Sequence, residues 1–233
     1  MVRAGSAQVT PPPSPDASSI VDEGLASEVF SRARSDINRK NYQGAIDECT
    51  EAIRLKSDFA EAYANRGYSY LQLDLYEKAI MDFSEAIRLK PGDVAVYFDR
   101  GNAYYDLKQY EGAISDYTEV IRLKPDYVAA YYNMANAYSI LRQYERAIAD
   151  YTEAIRLKPD LVQAYYNRGY AYHVLGNVKA ASGSDGVNLN RSPLNVLAEP
   201  ARFYLLGAFC GGPKSPWGDT NDPFEVKTEL ALV

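Results

Sequence analysis

Asparagine recurs at a fixed interval along this chain. Asn65, Asn133 and Asn167 form one column with Asp99 at the intervening position, and Asn102 and Asn136 form a second with Tyr68 and Tyr170 at its ends. A carboxamide offers two N–H donors and a carbonyl acceptor, so a row of them can pair with a peptide bond whatever side chain that residue carries. Phe98, Tyr132 and Tyr166 flank the columns, and Tyr105 lies nearby. Aromatic rings supply rigid contact area for apolar anchors. This is the chemistry of recognition. The bland alternative is that exposed helix positions tolerate asparagine and that tyrosine is a common filler of this chain.

A repeat places the columns. The stretch VAVYFDRGNAYYDLKQYEGAISDYTEVIRLKPDY (94–127) returns at 128–161, has an earlier copy at 60–93 and a more degenerate one at 26–59. The period is about 34 residues, the signature of a solenoid in which each unit packs only on its neighbours. A fifth copy begins at Val162 and fails after Ala181.

Each copy divides into two helices. In the first, Tyr97, Gly101 and Tyr104, with Arg100 less cleanly aligned, recur at helical spacing and share a face. In the second, Ala113, Ile114, Tyr117, Val120 and Ile121 are followed by Pro125, which cannot continue a helix and restricts Lys124 before it. Asp126 is expected to cap the next helix. At ~100° per residue, Asn102 falls at about 140° and Asp99 at about 200° from Tyr97, opposite the core-facing side. The small residues Ala33, Gly67, Gly101, Ala135 and Gly169 fit a close helix crossing, met by Ala45, Ala79, Ala113 and Ala147 of the second helix. Arg66, Arg100 and Arg168 lie beside the core, where Asp82, Asp116 and Asp150 are their expected partners. The pairs Glu85/Arg88, Glu119/Arg122 and Glu153/Arg156 read as a solvated stripe.

The run Tyr97-x2-Arg100-Gly101-x2-Tyr104, then Ala113-x3-Tyr117, then Pro125, resembles the tetratricopeptide repeat pattern of W-x2-L-G-x2-Y, A-x3-F and P. The resemblance covers about Ala26 to Ala181. Tyrosine replaces tryptophan at Tyr63, Tyr97, Tyr131 and Tyr165, and arginine replaces leucine except where Met134 breaks the column. The first copy has Val29 and Ser57 where tyrosine and proline are expected. The resemblance implies an all-α fold, a right-handed superhelical solenoid of antiparallel helix pairs, with the asparagine face of each first helix lining the inner groove. It also implies a peptide-binding surface made of Asn65, Tyr68, Phe98, Asp99, Asn102, Tyr105, Tyr132, Asn133, Asn136, Tyr166, Asn167 and Tyr170. Chaperone-adaptor members of the family capture a terminal carboxylate with a basic clamp. Here Asn102 and Asn133 match its asparagines, but Phe98, Gln163 and Asn167 stand where its basic residues would be, so that mode is not expected.

Other functions find little to work with. His173 is the single histidine, and a nucleophile–base pair with Cys49 would have to reach across several stacked repeats. Cys49 and Cys210 lie in unlike contexts and read as thiols of a reducing compartment. No metal site, cofactor or phosphate-cradling glycine loop is expected. The net charge of −6 argues against a nucleic-acid partner. No apolar run is long enough to span a bilayer, and the N-terminus has no apolar signal core, so a cytoplasmic chain is expected.

Three regions follow. Residues 1–18, with Pro11-Pro12-Pro13-Ser14-Pro15, read as a disordered leader. The repeat domain spans 19–181, opening on a capping box at Ser19-Ile20-Val21-Asp22 and containing copies 26–59, 60–93, 94–127, 128–161 and a partial one at 162–181. Residues 182–233 lack repeat character. They form a poorly ordered tail, a non-repeat cap built from 194–209, or a divergent terminus, the first being favoured. The expected function is a non-catalytic scaffold that binds an extended peptide or partner protein. The alternatives are an assembly subunit self-associating through its open C-terminal repeat end and, more weakly, a regulatory module for a separate enzyme.

Overall fold

The computed structural model describes residues 17–175, with side chains from Asp22 onward. The proline-rich leader before Ala17, the end of the fifth copy, the 182–233 tail and Cys210 lie outside the described residues. Within them the chain is an all-α solenoid of α1 (Ala17–Asn38), α2 (Tyr42–Leu55), α3 (Ala60–Gln72), α4 (Tyr76–Leu89), α5 (Val94–Asp106), α6 (Tyr110–Leu123), α7 (Val128–Ile140), α8 (Tyr144–Leu157) and α9 (Val162–Val174). Each helix packs chiefly on the one before and the one after. Contacts between alternate helices are made by first helices, α1 with α3, α3 with α5 and α7 with α9, which therefore form the inner row.

The small-residue crossing is tight at Gly67 and Gly101, whereas a Cβ at Gly169 would meet nothing within 4 Å among the described residues. Ala33, Ala45, Ala79, Ala113, Ala135 and Ala147 are fully buried. A Cβ added at Gly67 would lie 2.9 Å from the Phe83 ring, and one at Gly101 would lie 2.8 Å from the Tyr117 ring. The apolar core is strung along the solenoid in clusters. Phe83 with Ala79, Ala86, Val96 and Ala103 forms one, Tyr117 with Ala113, Val120, Ala130 and Met134 the next, and Tyr151 with Ala135, Ala147, Ile155 and Ala164 a third. Burying each large ring is worth about 1.5–3 kcal/mol.

Helix ends correct several expectations. Ser19 lies inside α1, which already runs from Ala17, so it does not open a capping box. Asp126 does not cap α7. The cap position is Tyr127, with no side-chain bond, because the aspartate stands one residue too early. Asp93, at the position that Tyr127 occupies one repeat later, does cap, its carboxylate accepting from the Ala95 N–H at 3.1 Å. Asn41 likewise accepts from the Gly44 N–H. Lys124 is extended before Pro125, yet Lys56 is equally extended before Ser57, so proline reinforces the break between repeats without being needed for it.

Within each repeat the turn between helices uses a left-handed residue that is not glycine, at Lys40, Asp74, Lys108 and Arg142. The Lys108 N–H meets the Tyr105 carbonyl and the Gln109 N–H meets the Tyr104 carbonyl, both at 2.8 Å, so these two carbonyls in the last turn of α5 are satisfied.

Candidate functional site

The first helices carry the asparagine columns on the inner row, and two of their pairs are linked. Asn133 Nδ2 on α7 donates to Asn102 Oδ1 on α5 at 3.1 Å, and Asn167 Nδ2 on α9 donates to Asn136 Oδ1 on α7 at 3.1 Å. Each accepting oxygen takes a second bond from a tyrosine of the paired helix, Tyr117 Oη to Asn102 at 2.8 Å and Tyr151 Oη to Asn136 at 2.6 Å. Asn167 Nδ2 also donates to Tyr132 Oη at 3.2 Å. The carboxamides are thus fixed in orientation. The groups left to a ligand include the N–H pair of Asn102 and the carbonyls of Asn133 and Asn167.

Tyr117 and Tyr151 were legible in the sequence only as core residues. Both rings are buried, and burial pushes the Tyr117 hydroxyl well above its ordinary pKa, so it remains a donor. Phe98 lies 5.8 Å from Tyr117 and 5.0 Å from Tyr127, and Tyr132 lies 5.9 Å from Tyr151. An aromatic wall therefore runs along the asparagine pairs.

The other expected site residues are less joined. Asn65 on α3 contributes only its backbone carbonyl, to the Ser69 hydroxyl. Tyr68 stands edge-on to Tyr42 at 6.4 Å, and Tyr105 to Tyr110 at 5.4 Å. Tyr166 is partly buried on α9, and Tyr170 is more exposed on the same helix. Asp99 is partly buried in the column of Asn133 and Asn167. Burial pushes its carboxyl up to about 7, and the Asp93 carboxylate acts in the same direction.

Beside the groove runs a second array, the arginine column. Arg66 is paired with Asp82 at 2.7 Å and Arg100 with Asp116 at 2.7 Å, with little side-chain exposure on either member. Each guanidinium also reaches back one repeat, Arg66 Nη1 to Thr50 Oγ1, Arg100 Nη1 to Ser84 Oγ and Arg168 Nη1 to Thr152 Oγ1. Arg32, overlooked in the degenerate first copy, holds Glu48 in the same way. Asp150 has no arginine partner, because Met134 stands where one would be and only accepts from Thr118 Oγ1 at 3.6 Å. Unpaired, the Asp150 carboxyl is pushed by burial up to about 7. The outer pairs Glu85/Arg88, Glu119/Arg122 and Glu153/Arg156 form as expected and are largely exposed.

Among the described residues no group of three metal-ligating side chains occurs, and no helix is long and apolar enough to cross a membrane.

Sequence models agree with this geometry. Residues 101–139 and 141–176 match a family described as TPR repeat, and 60–93 match Tetratricopeptide repeat. This is a tetratricopeptide repeat protein. No curated protein matches it significantly in sequence. Solved tetratricopeptide structures share its fold. YrrB, a TPR protein with an unusual peptide-binding site, is 19% identical, with a TM-score of 0.69 over 83% of this chain and 98% of that one. MamA from Desulfovibrio magneticus RS-1 is 22% identical, with a TM-score of 0.64 over 67% of this chain and 89% of that one. Another MamA structure is 19% identical, with a TM-score of 0.66 over 82% and 98%.

Proposed function

We propose that this tetratricopeptide repeat protein is a non-catalytic interaction scaffold that holds an extended peptide segment of a partner along its inner row of helices. The observation that carries the reading is the pair of oriented carboxamide links, Asn102–Asn133 and Asn136–Asn167. Because their internal bonds are already made, the remaining donors and acceptors are pre-aimed, and a bound backbone need not order them. The wall of Phe98, Tyr127 and Tyr132 offers anchoring area for apolar side chains. A relative of the same fold, YrrB, has a peptide-binding site, which is consistent with this use of the scaffold.

The test is peptide affinity. Peptides selected from a random displayed library against the full chain are labelled and measured by fluorescence anisotropy with the wild type and with Asn133→Ala/Asn167→Ala. The expected result is at least a tenfold loss, about 1.4 kcal/mol or more, with unchanged helical circular dichroism. Unchanged affinity, or sedimentation showing only concentration-dependent self-association, would overturn the groove reading.

A further inference from the structure

Three copies of one polar junction can be compared along the inner row. At two of them an asparagine carbonyl, of Asn102 or Asn136, receives a tyrosine hydroxyl from its own repeat and a carboxamide N–H from the next. At the preceding copy every participant has changed. Tyr68 stands in place of the accepting asparagine, Phe83 in place of the donating tyrosine and Asp99 in place of the donating asparagine. Phe83 has no polar atom, and an ionised Asp99 has only acceptors. A junction furnished with two donors has been replaced by one that presents a carboxylate.

No cation among the described residues reaches that carboxylate. Among the described residues Asp99 makes no ion pair and no side-chain hydrogen bond, and the only charged group acting on it is the like-charged Asp93. Arg100, its neighbour in sequence and about 100° further round the helix, is committed to Asp116 and Ser84. Around Asp99 are aromatic rings. By repeat register Asp99 faces Tyr68 as Asn133 faces Asn102, and Phe98, beside it on α5, lies 5.0 Å from Tyr127. The Asp99 charge also acts on the Tyr68 and Tyr127 hydroxyls. A partly buried carboxylate without a partner is unfavourable by itself. It becomes favourable when a cation with an apolar stem fills the gap, the stem lying on the rings and the charged head meeting the oxygens.

We infer that Asp99, walled by Tyr68, Phe98 and Tyr127, is the subsite for a lysine or arginine side chain of the bound peptide. This rests on the peptide-groove reading above and adds a register to it, because the basic residue of the ligand is placed one repeat before the Asn102–Asn133 link.

The test uses the library-selected peptides on the full chain, each compared with a version in which its basic residue is replaced by methionine. Wild type is expected to favour the basic peptide by about tenfold or more. Asp99→Asn, a residue the fold already accepts at Asn133 and Asn167, is expected to abolish that preference while leaving circular dichroism unchanged. Asp99→Lys is expected to prefer a glutamate at the same peptide position. If the selected peptides carry no basic residue at a common position, or if Asp99→Asn keeps the wild-type preference, the subsite is refuted. The groove reading then still stands provided Asn133→Ala/Asn167→Ala weakens the same peptides. If no peptide is enriched, or enriched peptides ignore both sets of substitutions, the groove reading falls with it.

Discussion

Tyr117, on the second helix of its repeat, donates its hydroxyl hydrogen at 2.8 Å to Asn102 Oδ1 on the first. A residue that packs the core therefore also sets the orientation of a groove carboxamide. Tyr117→Phe keeps the ring and removes this bond, and is expected to cost about 1 kcal/mol in urea unfolding. In peptide titration it should also weaken binding, since the Asn102 amide loses one of the two donors that hold it. A neutral substitution in both measurements would contradict the link.

The gap in the arginine column is repairable. Met134→Arg places a guanidinium between Thr118 and Asp150, as Arg100 stands between Ser84 and Asp116. The substitution is expected to stabilise the chain at pH 8 by about 1 kcal/mol, a rise of about 2–4 °C in melting temperature. A lowered melting temperature would show that the column does not act at that position.

Asp99 and Asp150 give the pH dependence a definite sign. Their carboxyls are raised from 3.8 to about 7 in the folded chain by burial, with Asp93 adding to the effect at Asp99. Between those limits the folded state holds more protons than the unfolded one, so the stability from these groups is full below about pH 4 and is lost as pH climbs through 7. The groups acting with Asp99 are Asp93 at the cap of its helix, Tyr68 on α3 and Tyr127 before α7, and both tyrosines stay neutral throughout this window. Asp99→Asn/Asp150→Asn is therefore expected to gain stability relative to wild type from pH 5 to pH 8, read as the difference between urea midpoints. The lowered carboxyls Glu51, Glu85, Glu119 and Glu153, hydrogen-bonded by neighbouring arginines, act in the opposite sense and in the more acidic range. A difference that is flat with pH would contradict the assignment.

Gly101 has no room for a side chain, because a Cβ would meet the Tyr117 ring at 2.8 Å and Asp116 Cβ at 3.3 Å. Gly101→Leu is expected to cost about 3 kcal/mol by forcing α5 and α6 apart. Chemical denaturation measures this directly, and retained stability would refute the close crossing.

The helix pairs were readable because their signal is local. The spacing of Tyr97, Gly101 and Tyr104 lies within one helix, and Pro125 marks its repeat's end. The pairings Arg66–Asp82 and Arg100–Asp116 were readable from the same register. What the pattern hid depends on reach across helices. Helical geometry puts Tyr117 on the core face of α6 but does not say that its hydroxyl emerges beside Asn102. Nor does it reveal that carboxamides assigned to a ligand also bond one another and tyrosine hydroxyls. Arg32 was hidden by the degeneracy of its copy, and the left-handed turn at Lys108 by the absence of glycine.

Because Arg66 and Arg100 each bond the repeat behind as well as their own, the column ties neighbouring units into a shared melting event. Stacked repeats unfold together only while every interface outweighs the cost of opening alone. At Met134 the polar part of that tie reduces to one weak thioether bond between α6 and α7, leaving apolar packing on Tyr117 and Val120, with Asp150 on α8 unpaired. The solenoid therefore has a seam there, and native-state hydrogen exchange is expected to resolve two cooperative blocks, the helices up to α6 and those from α7 onward. Met134→Arg should merge them into one.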